Sequence, residues 1–118
     1  MSVEAPIATD KNLFIGEDRS LDFTVVDANG TAVDITSYGL EWVMRERAAS
    51  ATADITKTTS SGITLTDPTN GVCRVAIADT DTLALLPGTY FHTLRRTDDD
   101  SETVLSFGDV ILRYAATR

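Results

Sequence analysis

The chain has 118 residues, and its 18 Asp and Glu against 10 Lys and Arg give a formal charge of −8. That balance opposes the phosphate backbone of nucleic acid, whose binding relies on clustered cations, so no nucleic-acid partner is expected. Hydrophobic residues at 42% and charged residues at 24% are ordinary for a globular chain with one core, and no apolar run reaches the roughly 20 residues of a membrane span, so no membrane partner is expected.

Residues 1–11 read as an extended N-terminal arm. Met1 to Asp10 lacks the basic start and long apolar centre of a secretory leader, so it is expected to be retained. Within it, Val3-Glu4-Ala5-Pro6-Ile7 is a Pro-containing segment suited to lying across another chain.

Beyond the arm the dominant period is two. Leu21, Phe23 and Val25 alternate with polar residues, which marks a strand with one buried face, and Asp27-Ala28-Asn29-Gly30 supplies the residues of a tight turn. A three-residue turn is expected near Thr36-Ser37-Tyr38. The next strand, 39–45, places Leu40, Trp42 and Met44 inward and Glu41 and Arg45 outward. Residues 46–53 are alanine-rich but carry no apolar stripe, so a loop is expected there, leading to a short edge strand near 55–58.

Ile63-Thr64-Leu65-Thr66 is a short strand closed by Asp67-Pro68-Thr69-Asn70-Gly71, and the strand after it turns Cys73, Val75 and Ile77 inward. Asp79 and Thr80 are good N-cap residues for a helical scrap over 79–85, which Pro87 stops. A strand over 88–96 then points Tyr90, His92 and Leu94 inward. An exposed turn follows over 97–102, and a last strand runs from Thr103 to about Tyr114 with a bulge expected at Gly108. Seven or eight strands at about ten-residue spacing predict an all-β fold, an antiparallel sandwich over 12–114 with a C-terminal tail over 115–118.

The residues of types that carry chemistry read more simply as structure. His92 is the only histidine, and its parity puts it in the core rather than in a catalytic role. Cys73, the only cysteine, excludes an intrachain disulfide and fits synthesis in a reducing cytoplasm. A Cys73–His92 dyad is conceivable, yet no oxyanion-forming glycine motif flanks either residue. Asp98-Asp99-Asp100-Ser101-Glu102 offers oxygens to calcium but lacks the alternating acidic loop, so a solvated hairpin tip is the simpler reading. The seven glycines fall one per turn or bulge, with no phosphate-cradling cluster. Trp42 reads as a core anchor; exposed, it would be a sugar-stacking platform. No catalytic, cofactor-binding or metal-binding residue is assigned, and no cofactor is expected.

Leu83, Pro87, Gly88, Thr89 and Tyr90 resemble the corner of immunoglobulin-like and fibronectin type III sandwiches, where the tyrosine hydroxyl bonds back to nearby backbone. The resemblance widens over residues 12–113. It runs through Gly16-Glu17-Asp18, Val25-Val26-Asp27-Ala28-Asn29-Gly30-Thr31-Ala32-Val33-Asp34-Ile35-Thr36, Leu40-Glu41-Trp42-Val43-Met44-Arg45, Asn70-Gly71-Val72, Asp79-Thr80, Leu86-Pro87-Gly88-Thr89-Tyr90 and Leu105-Ser106-Phe107-Gly108-Asp109-Val110. This series is similar to the immunoglobulin-like N-terminal domain of baseplate upper proteins of tailed bacteriophages and to small stand-alone virion proteins. It departs from the pattern at His92, where an aromatic is expected, and baseplate proteins of that family continue into further domains.

The resemblance implies a non-enzymatic virion component of the tail, baseplate, fibre attachment or capsid decoration, made in the host cytoplasm. Such a protein would be present in many copies or as a homo-oligomer and would dock on other virion structural proteins. Val3, Pro6, Ile7, Phe91, Phe107 and Tyr114 are the candidate partner-binding residues. The alternative is a carbohydrate-binding or adhesive module on the same sandwich, with Tyr38, Phe91, Phe107 and Tyr114 as its aromatic platform.

Overall fold

Alternating side chains drive the architecture, because each strand must seal one face against another layer. The computed structural model describes residues 7–8, 11–46, 53–98 and 102–114. Val3 and Pro6 of the arm, most of the alanine-rich stretch, the tip of the acidic run and the tail lie outside them. The strands are β1 (Ile7–Ala8), β2 (Lys11–Phe14), β3 (Arg19–Thr24), β4 (Leu40–Arg45), β5 (Ile55–Thr58), β6 (Ile63–Asp67), β7 (Val72–Ile77), β8 (Gly88–Arg96) and β9 (Thr103–Arg113). A 3-10 turn (Pro68–Asn70) and one α-helical turn, α1 (Asp79–Thr82), interrupt them.

Two sheets result. The larger has the order β5, β4, β8, β9, with β1 and β2 in tandem along the outer edge of β9; the smaller has the order β3, β7, β6. All pairings between these strands are antiparallel except those of β1 and β2, which run parallel to β9. From Ile7 the described residues therefore run along the larger sheet, turn at Ile15 and Gly16, and enter the smaller one as β3. The fold is an all-β, immunoglobulin-like sandwich.

The facing sides close a single core. Leu40, Trp42, Met44, Leu94, Val110 and Leu112 from the larger sheet meet Leu21, Phe23, Cys73, Val75 and Ile77 from the smaller, and Val33 and Ile35 plug the end from a loop. Trp42 is fully buried, and sealing a ring of about 200 Å² contributes about 5 kcal/mol.

Local chemistry fixes the connections. The Asp27 carboxylate accepts the Asn29 and Thr31 N–H groups at 2.9 and 3.0 Å, and Gly30 takes φ 81° to close that turn. Gly71 ends the Pro68–Asn70 turn at φ 75°. At the corner before β8, the Tyr90 hydroxyl donates to the Leu86 carbonyl at 2.7 Å, the back-bond that the resemblance implies.

Three local expectations need correction. The bulge in β9 lies at Leu105, not Gly108: Leu94 pairs with Ser106 and Arg95 with Val104, while Gly108 pairs regularly with His92. The extra residue lets Leu105 and Ser106 both face inward. The N-cap of α1 is Ala78 rather than Asp79 or Thr80, because the Asp81 carboxylate reaches back to the Ala78 N–H at 2.7 Å. Finally, β1 and β2 are strands that the two-residue rhythm does not reveal; β2 buries only Leu13, too little for a periodic signal.

A candidate docking face

The buried imidazole is engaged. His92 is 1% exposed, and its Nδ1 accepts the Trp42 indole N–H at 3.1 Å. The Phe23 and Trp42 rings flank it with centroids 5.8 and 5.9 Å away. Phe23 stands opposite Cys73 in the β3–β7 ladder. Burial, with the Asp22 carboxylate adding to it, pushes the Cys73 thiol up to about 11, so it stays protonated and non-nucleophilic at neutral pH. These residues pack a core; they do not line a cleft.

The acidic run is also committed where it is described. Asp98 accepts the Arg96 Nε–H at 2.7 Å and the Gly39 N–H at 3.1 Å. Those two bonds, the Arg96 one foremost, hold its carboxyl below the usual carboxylate range. The Arg96 guanidinium in turn lies 3.7 Å from the centre of the Tyr38 ring, which caps that ring against a stacking ligand. Among the described residues, no group of three or more His, Cys, Asp or Glu is placed to hold a metal ion.

The outward faces of the two sheets differ in kind. On the smaller sheet, Asp22, Thr24, Thr64, Thr66, Arg74 and Ala76 point to water, and Asp22 pairs with Arg74 at 2.8 Å. Its outer surface is an ordinary polar one. On the larger sheet, the outward positions include Val43, Phe91, Val104, Phe107 and Ile111, with Phe91 40% and Phe107 46% exposed. Large aromatic side chains at that exposure, set diagonally on neighbouring strands, make this the more apolar of the two outer faces.

The register arranges this face in rows. Glu41 stands opposite Arg95, Val43 opposite Thr93 and Arg45 opposite Phe91 across β4 and β8. On the far side of β8, Phe107 stands opposite Thr93 and Asp109 opposite Phe91. Glu41, Val43, Arg45, Phe91, Thr93 and Arg95 enclose a shallow depression of about 210 Å³.

Of the sequence candidates, Phe91 and Phe107 come together here as diagonal neighbours. Ile7 is held in β1 opposite Ser106 on the edge of the same sheet. Tyr114, 46% exposed, follows the end of β9. Val43, Glu41, Arg45 and Arg95 were not singled out by sequence reasoning, although they hold the outward parity of strands already recognised. Phe14 was missed with its strand; it is 37% exposed and stands opposite Arg113.

No protein-family model matches the chain, and no curated protein matches it. Among solved structures it is similar to a marsupial T cell receptor, at 13% identity and a TM-score of 0.47, over 98% of this chain and 53% of that one. It is also similar to a family 123 glycoside hydrolase from Clostridium perfringens, at 10% identity and a TM-score of 0.40, over 92% of this chain and 23% of that one. The chain thus spans about half the length of the first and under a quarter of the second.

Proposed function

We propose that this chain is a non-enzymatic structural subunit of a tailed-bacteriophage particle that docks on neighbouring subunits through the outer face of its larger sheet. The observation that carries the docking mode is the contrast between the two outer faces: one polar, the other bearing Phe91, Phe107, Val43 and Val104 among charges of both signs. The phage assignment draws on the resemblance over residues 12–113. The mechanism is presentation by a rigid body, and repetition in a symmetric particle multiplies a modest single contact into firm attachment.

The test is quantitative mass spectrometry of purified tailed-phage particles whose genome encodes the chain. The wild type is expected at a fixed copy number per particle, and the Phe91→Arg/Phe107→Asp variant is expected to fold yet be lost from particles. Absence of the wild-type chain from particles, or normal incorporation of the folded variant, overturns the proposal.

A further inference from the structure

Four of the six side chains around the depression form a checkerboard. Glu41 and Arg95 share one row, and Arg45 and Phe91 share another, two outward rows along. The two guanidiniums therefore occupy one diagonal, while the carboxylate and the phenyl ring occupy the other. Val43 and Thr93 fill the row between them.

Such a square is complementary to itself. A twofold axis lying in the contact plane along the strands swaps β4 and β8, so Glu41 meets Arg95 of the second copy and Arg45 meets its Phe91. A twofold axis across the strands swaps the two rows instead, so Glu41 meets Arg45 of the second copy and Arg95 meets its Phe91. In both arrangements each cation lands on a carboxylate or an aromatic face, and neither arrangement opposes two like charges.

The whole-chain charge sharpens the choice of site. Two bodies that each carry −8 repel one another, and they approach most easily where the local charge is balanced. Arg45 and Arg95 place two of the 10 basic residues on this face, and the apolar Val43, Phe91 and Phe107 supply contact area there.

We infer that the outer face of the larger sheet binds a second copy of this chain, giving a twofold-symmetric dimer centred on Val43 and Thr93. This rests on the reading of that face as the docking surface and names its first occupant.

The checkerboard makes a prediction that a merely greasy patch does not. Phe91→Arg places a cation against a cation under either axis and should weaken self-association roughly a thousand-fold, because each substitution acts twice. Glu41→Arg should do the same. Phe91→Glu places a carboxylate against a guanidinium and should keep the dimer within about tenfold of wild type.

Sedimentation equilibrium of the full chain over roughly 1 to 500 μM in about 0.15 M salt reads all three, with circular dichroism confirming the fold of each variant. A dimeric wild type with monomeric Phe91→Arg and dimeric Phe91→Glu supports the inference. A wild type that stays monomeric, or Arg and Glu variants at position 91 that behave alike, overturns it. The particle experiment keeps the two readings separable. A monomeric wild type whose face variants are still lost from particles sinks the second copy and leaves the docking surface standing. A dimer whose face variants enter particles normally does the reverse.

Discussion

The Trp42 indole Nε1–H donates to His92 Nδ1 at 3.1 Å, tying β4 to β8 inside the core across 50 positions of sequence. Removing the acceptor strands a buried N–H. His92→Leu should therefore lower stability by about 2 kcal/mol in urea unfolding. Combining it with Trp42→Phe should cost less than the two single losses added, by at least about 0.5 kcal/mol. Strict additivity would show that the bond does not couple the strands.

Gly71 is the least replaceable turn residue. At φ 75° an added Cβ would sit 2.5 Å from the Val25 carbonyl oxygen and 2.8 Å from that of Val33. Backbone and sterics act together, so Gly71→Ala should lose about 3 kcal/mol or more. Gly30, at φ 81° with nothing within 4 Å of its added Cβ, should lose only about 1 kcal/mol on the same change. Equal losses at the two sites in thermal or urea unfolding would refute the steric account.

Much of this architecture can be read directly from residue order, and the limits have physical causes. The inward parities of Leu40, Trp42, Met44, Tyr90 and His92 follow from alternation within one strand, which is local information. The Trp42–His92 bond and the checkerboard depend on which residues stand opposite one another, and register is a property of two strands at once. Gly108 reads as the bulge because glycine tolerates one, whereas the extra residue is Leu105, whose side chain the core takes in together with Ser106. Phe91 and Phe107 stand out as aromatics, but the charged residues that frame them resemble any solvated face until β4 and β8 are aligned.

Lys57 Nζ lies 2.8 Å from Asp81, at the joint between β5 and α1. Desolvation alone would raise the Asp81 carboxyl, but Lys57 and the Ala78 N–H outweigh it and hold the group below its usual range. A carboxyl depressed on folding stabilises above its unfolded value, and that contribution is lost as pH falls through the folded one. Lys57→Met should cost about 1 kcal/mol at neutral pH and flatten the fall in stability below about pH 4. An unchanged slope in acid titration of the unfolding free energy would contradict this.

Cys73 is completely buried and its thiol is raised to about 11. Modification by a thiol reagent at about pH 8 should therefore proceed only through opening of the sandwich, and it should accelerate in step with added urea. Fast, stoichiometric labelling of the native protein would place the thiol at the surface.

The parallel course of β1 and β2 along β9 determines how the domain carries load. The two residues of β1 and four of β2 are registered on β9, with the chain entering at Ile7 beside Ser106 and β9 leaving at Arg113 beside Phe14. Tension applied to the chain on either side of these strands slides them lengthwise against each other. Their hydrogen bonds must then break together rather than unzip in turn, so the body resists being pulled apart along the axis on which a neighbour at one end and a neighbour at the other would haul.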